Sequence, residues 1–226
     1  AYSLRAAELS ALHFELGRLY AKTVQKFLKE FHLPLQDLVV IGSHGQTIYH
    51  GPRDKEPNTL QIGEPSFMAA QLGRPVVSDF RSMDIALGGE GAPLIPFFDE
   101  YIWGQKQPKI LLNVGGISNF SVVGKNVETF GFDVGPGNTL MDLAAQQFLH
   151  RPFDKNGQTA AKGRPDKPLV SRLLKQKYFL QQPPKSLDKN AFGQSYLQKH
   201  FPLQRFAHKA DLLATLTWFT AAAVAQ

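Results

Sequence analysis

FGFDVGPGNTLMD, residues 130–142, is the stretch on which the fold turns. A strand-like run over 128–132 ends in Asp133. A turn built from Gly135, Pro136 and Gly137 follows, and a helical pattern opens at Asn138 or Thr139. Glycines at a strand-to-helix turn let backbone amides approach a ligand, and a helix N-terminus favours anionic oxygens. A carboxylate at the mouth of such a turn is placed to take a proton or to hold a metal. Just upstream, NVGGISN at 113–119 lies between the apolar runs 110–114 and 120–123, which predicts a β-hairpin tightened at Gly115-Gly116. Either turn alone reads equally well as a plain connection, with the aspartate as a helix cap. Together they point to one phosphate-handling cleft.

Outward toward the N-terminus, residues 3–31 read as a long amphipathic helix. Leu9, Leu12, Leu16, Leu19, Val24, Phe27 and Phe31 form its core face, and Arg18, Lys22, Lys26 and Glu30 lie opposite. Pro34 is expected to end it, and no chemistry is expected of it. Strands are predicted at 38–42, 48–50, 59–63 and 75–78, with a short helix over 66–72 behind Pro65. The polar turn Ser43-His44-Gly45-Gln46-Thr47 offers hydrogen bonds to sugar hydroxyls at a strand end, or else holds His44 as a spacer. The loop at 79–93 carries Asp79, Arg81, Asp84 and Glu90 among glycines. An arginine held there can fork onto a carboxylate or phosphate, or pair with Asp84 or Glu90. Residues 96–103 read as a short aromatic helix.

Outward toward the C-terminus, a helix at 140–150 is followed by the loop DKNGQTAAKG, which lacks the third oxygen ligand of a calcium-binding loop. Helices are expected at 168–181 and 191–200, with a last one from about Asp211. The order gives an α/β fold, divided near Gly104 and Pro108 into domains 1–106 and 107–226.

The chain has 226 residues, 43% hydrophobic and 19% charged, which suits a globular core. Without cysteine there are no disulfides, thiolate metal sites or cysteine nucleophiles. The net charge of +6 and pI near 9.5 come from scattered lysines and arginines rather than a compact basic stripe, so a nucleic-acid partner is not expected. No apolar run reaches membrane-spanning length, which makes a cytoplasmic protein the default. The first residue is not methionine and the last helical pattern has no cap, so a fragment of a longer protein is expected. Phosphate-loop, GxGxxG, HExxH and GxSxG signatures are missing. A nucleotide must therefore be held by another architecture.

SHGQTIYH, TLQIGEP, VVSDFRSMDIALGGEGAPLIP, LLNVGGISNFSVV, GFDVGPGNTLMD, DKNGQTAAKG, PPKSLDKNAFG and ADLLATLTWFTA, in that order, closely resemble the anhydro-N-acetylmuramic acid kinase family. The resemblance implies the two-domain actin-like ATPase (ribonuclease H-like) kinase fold, here incomplete at both ends. It also implies ATP and Mg2+ as cofactors and anhydro-N-acetylmuramic acid as substrate in cell-wall sugar recycling. A homodimer is usual in such a family. Carried over by motif, Asp133 is the expected general base. Arg81 is expected on the sugar or its lactyl carboxylate, His44 and Gln46 on the substrate rim, and Asp84 and Glu90 as further substrate-side candidates. Asn113, Gly115, Gly116, Ser118, Asn119, Gly135, Gly137 and Asn138 are expected around the phosphates. No metal ligand is assigned. The family's first phosphate loop and its adenine-side segment have no match here, so little activity is expected of this polypeptide alone. A sugar-binding relative without catalysis is the alternative.

Overall fold

The computed structural model describes residues 5–183, 185–187 and 191–226. The start of the helix expected over 3–31, and residues 184 and 188–190 within PPKSLDKNAFG, lie outside the described residues. The chain forms two compact units, Ala1–Gly91 and Ala92–Gln226.

In the first unit, helix α1 (Ala6–Glu30) opens where the Arg5 amide donates to the Glu8 carboxylate at 2.8 Å. The chain leaves it at Phe31 and His32, the latter in the left-handed region at φ 53°. Pro34 therefore stands beyond the helix end and opens a short 3-10 turn at Leu35–Asp37. The expected core stripe is also corrected, because Leu12, Leu19, Phe27 and Phe31 are exposed while Gly17 and Ala21 are buried. Gly17 supplies the reason. A Cβ there would stand 2.3 Å from the Glu64 carbonyl oxygen, so the helix docks backbone-close on the Glu64 turn. The residues sharing that contact line are His13, Tyr20, Val24 and Leu28.

Strand β1 (Ile41–Ser43) pairs in parallel with β4 (Val76–Ser78). The hairpin of β2 (Gln46–Gly51) and β3 (Asn58–Ile62) and helix α2 (Ser66–Leu72) form the crossover between them. β1 is shorter than the run 38–42 suggests, since Val39 and Val40 are exposed. Ala21, Ile41, Met68 and Leu72 make a small core. Helix α3 (Ser82–Ala86) closes the unit.

The second unit is built on an antiparallel sheet, β5 (Lys109–Val114), β6 (Ile117–Val123) and β7 (Phe130–Pro136), in that order. Helix α4 (Ile95–Trp103) packs on it so closely that a Cβ on Gly131 would lie 2.3 Å from Pro96. The units divide at Gly91 and Ala92, which puts α4 with this sheet; the expected boundary at 106/107 would separate the two. Helix α5 (Thr139–Leu149) follows the central turn. The run expected as one helix over 168–181 is two, α6 (Lys167–Leu173) and α7 (Lys177–Leu180). Gln176 between them is extended, with ψ 149°. Helices α8 (Gln194–His200) and α9 (Lys209–Val224) complete the unit. α9 is apolar on most of its circumference, as a buried helix should be. Its Leu212, Leu216 and Phe219 lie at the centre of a core shared with Leu140, Phe179 and Phe201.

Candidate active site

Asp133 sits inside β7, not at its end as the sequence suggests, because β6 keeps pairing with β7 as far as Ile117 opposite Pro136. It is only 7% exposed. Its amide donates to the Lys185 carbonyl at 3.0 Å, its carbonyl accepts the Tyr178 hydroxyl at 2.5 Å, and its Oδ2 accepts the Leu187 amide at 2.8 Å. The strand edge and residues 185–187 thus fix the backbone and one carboxylate oxygen together. A carboxylate so buried and so oriented is suited to take a proton from a substrate or water. Directly across on β6 stands Asn119. Its Oδ1 is buried and, among the described residues, accepts no hydrogen bond.

The two glycine turns do come together. Gly137 N–H donates to Gly116 O at 2.9 Å, and Asn138 N–H to Gly115 O at 2.7 Å. The Asn138 side chain reaches Val114 O, and the buried Ser118 hydroxyl donates to Pro136 O at 3.1 Å. A Cβ on Gly137 would stand 2.1 Å from Gly115 O, so this glycine is needed for the approach of one turn to the other. The amides of Gly137 and Asn138 are therefore occupied within the protein, as is that of Gly115 by Ile117 O. Gly135 is buried against Phe179. What the turns leave at the surface is Asn113 and the Gly116 N–H, which has no partner among the described residues.

On the first unit, His44, Arg81 and Asp84 belong to one hydrogen-bonded loop system, and the neighbouring Glu90 pairs with Arg53. Arg81 donates from Nε to His44 Nε2 at 2.9 Å and from Nη1 to Gly91 O at 2.6 Å. His44 Nδ1 faces Gly45 O at 2.9 Å, which sets the Nδ1–H tautomer and leaves Nε2 as the acceptor. Asp84 Oδ2 accepts the Gly91 amide at 2.6 Å, and Glu90 accepts Arg53 Nε at 2.9 Å. Gln46 is exposed, and among the described residues its side-chain amide donates to its neighbour's carbonyl, Thr47 O. A cavity of about 320 Å³ opens beside His44, lined also by His13, Ser43, Gln61, Asp79 and Ser82. Its lining includes the hydroxyl residues Ser43, Thr59, Ser78 and Ser82 and the amide residue Gln61, side chains of the kind that hydrogen-bond sugar hydroxyls.

Two groups here escape sequence reading. His13 lies on the helix given no chemistry, yet its Nδ1 accepts the Gly63 amide at 2.9 Å and its Nε2 meets Glu64 at 3.0 Å. The hydrogen bonds from Ser66, with His13 adding to them, hold the Glu64 carboxyl below its usual range. Only the contact line through Gly17 could have singled His13 out. The second group is Asp142, on a cavity of about 520 Å³ beside Asn138, Asp154 and Asn156. Burial pushes its carboxyl above the ordinary aspartate value. Among the described residues no three His, Asp or Glu side chains converge as a metal cage, and no helix is long and apolar enough to cross a membrane.

Comparison with known proteins adds an independent line. Residues 3–226 match the family model for anhydro-N-acetylmuramic acid kinase. The chain is 40% identical over 223 residues to the anhydro-N-acetylmuramic acid kinase of Clostridioides difficile (strain 630), covering 96% of this chain and 58% of that protein. It is 43% identical over 214 residues to that of Coxiella burnetii (strain Dugway 5J108-111), covering 93% and 57%. The chain thus spans somewhat under three-fifths of these relatives' length.

Proposed function

The chain belongs to the anhydro-N-acetylmuramic acid kinase family, and from that premise we propose that the full-length protein phosphorylates 1,6-anhydro-N-acetylmuramic acid with ATP as the phosphoryl donor. Water opens the anhydro ring in the same reaction, giving N-acetylmuramic acid 6-phosphate. The observation that carries the reading is Asp133, a buried carboxylate with one oxygen tied to the Leu187 amide, beside the interlocked glycine turns.

In the proposed step, water attacks the anomeric carbon and gives its proton to the Asp133 carboxylate. The bond from that carbon to the 6-oxygen breaks, and the 6-oxygen attacks the γ-phosphorus as the bond to ADP breaks. Asn119 Oδ1, across from Asp133, suits a hydroxyl or water donor. The exposed Asn113 and the Gly116 amide are the groups we assign to phosphate oxygens. Mg2+, when bound with the nucleotide, would be held chiefly by its phosphates and would supply charge neutralisation at the γ-phosphoryl group. Arg81, its guanidinium held by His44 and Gly91, is assigned to the sugar's carboxylate, with His44 and Gln46 at the rim. The α/β architecture is read as the actin-like kinase fold, in a cytoplasmic homodimer.

The test is phosphoryl transfer by the full-length wild type and Asp133→Asn, a nearly isosteric change. Loss of about 10²- to 10⁴-fold in kcat with sugar KM little changed is the expected outcome. A variant close to wild type would move the base elsewhere. A wild type that binds the sugar without phosphorylating it would replace the kinase reading with a sugar-binding protein.

A further inference from the structure

Lys185 is 7% exposed, a rare position for a lysine. Among the described residues its ammonium meets no carboxylate. Instead Nζ stands 4.9 Å from the centre of the Tyr178 ring and 5.7 Å from that of Phe132, and it donates to the Tyr178 carbonyl at 3.4 Å. Burial lowers its proton affinity. Burying an ammonium against two aromatic rings is costly, and a methionine of similar length would fill the same space without that cost. The amine therefore does something packing alone does not.

Its bonds run in a closed circuit. Lys185 Nζ donates to Tyr178 O, Tyr178 Oη donates to Asp133 O, and Asp133 N donates to Lys185 O. Two residues further on, Leu187 N holds Asp133 Oδ2. We infer that Lys185 and Tyr178 are positioning residues that clamp Asp133, fixing its backbone and, through the 185–187 segment, the direction of its carboxylate. The inference rests on the reading of Asp133 as the base. Proton transfer is sensitive to placement on the scale of an ångström or less, and opening the circuit would loosen the 185–187 segment that holds the carboxylate.

The experiment uses the full-length enzyme with Lys185→Met and Tyr178→Phe, each in the wild-type and in the Asp133→Asn background. Each single change is expected to lower kcat by about 10- to 100-fold with KM for sugar and ATP within about twofold, since ground-state binding does not use the clamp. The Lys185→Met/Tyr178→Phe pair should be no worse than about the worse single change, because both open one circuit. In the Asp133→Asn background Lys185→Met should change residual turnover less than about twofold, as the group it positions is already gone. A purely structural lysine would lower Tm and leave kcat per folded molecule unchanged, which overturns the clamp. So would a further large loss in the Asp133→Asn background, which would mean direct contact with substrate. A wild type without phosphoryl transfer removes the kinase reading and the clamp together; a working wild type with unaffected variants removes only the clamp.

Discussion

Gly137 has no room for a side chain. The Gly115 carbonyl oxygen lies 2.1 Å from where its Cβ would be, and the carbonyl belongs to backbone that is itself bonded to Asn138. Neither partner can retreat without opening the bonds from Gly137 and Asn138 to Gly116 and Gly115. Gly137→Ala is therefore expected to cost about 3 kcal/mol or more, at the top of the range for overpacking. Gly73→Ala serves as a contrast: nothing lies within 4 Å of its Cβ position, and its left-handed φ of 60° carries only the smaller backbone penalty. Urea midpoints of the two variants would check this, and equal losses would contradict it. At Arg81 the prediction concerns function. The guanidinium reaches two acceptors from two different nitrogens, Nε to His44 Nε2 and Nη1 to Gly91 O, a separation that lysine's one nitrogen does not reproduce. Arg81→Lys is expected to raise the sugar KM by about tenfold while leaving kcat within a few-fold. A fall in kcat at constant KM would take Arg81 out of ground-state sugar binding. At this scale the sequence exposes the residue types but not their duties. The glycines of both turns and Asp84 stand out in the sequence, yet most of their bonds serve the loops' own geometry. His13 is invisible until Gly17 shows which face of α1 is turned inward.

Among the elements, α6 shows how a helix start can be made sensitive to acid. Asp166 caps it, accepting the Leu169 amide at 2.9 Å, and also accepts Arg205 at 2.7 Å. Burial alone would raise its carboxyl, but the Leu169 and Arg205 hydrogen bonds, with the charges of Arg205 and Arg172, outweigh it and hold the folded value below 3.8. A depressed folded value means stability that is present above the unfolded pKa, near 4, and lost as pH falls through the lower folded value. Asp166→Asn keeps an oxygen able to cap the helix but loses the charge, and is accordingly expected to cost about 0.5–1 kcal/mol at pH 7, the worth of a partly exposed ion pair. That difference should shrink as pH falls below about 4 and vanish only below the folded value. Thermal melts of both proteins from pH 7 to pH 3 would show converging curves; a gap constant with pH would rule the charge out. Most elements are legible beforehand because each is marked locally: the β5–β6 hairpin by Gly115-Gly116, α2 by Pro65, α5 by the turn before it. What is not legible comes from tertiary pairing. β7 runs past Asp133 because β6 continues beside it, and α6 and α7 separate at Gln176. With the chain extended there, Phe179 enters the core under Gly135 while Tyr178 bonds Asp133.

Among the described residues, two hydrophobic clusters of very different size form, one in each unit. The first gathers four buried residues around Met68; the second centres on Phe219, fully buried and in contact with the rings of Phe179, Phe192, Tyr196 and Phe201. Composition predicts a sizeable core but not its division, which follows from α1 meeting its unit through Gly17 and Ala21 while α9 buries nearly all its length. The chain's two tryptophans, Trp103 and Trp218, both lie in the second unit, so tryptophan fluorescence reports that unit's unfolding. Phe219→Ala should lower the tryptophan-reported stability by about 3–5 kcal/mol, the cost of a large aromatic cavity. Met68→Ala removes a side chain 2% exposed, yet the cluster it weakens contains no tryptophan. It should leave that signal within about 0.5 kcal/mol of wild type, as expected of sites that share no packing partners. Its effect should appear instead as faster amide exchange along α1 and α2, whose contact runs through Met68 and Ala21. Equal displacement of the tryptophan transition by both variants would mean that the two clusters unfold as one.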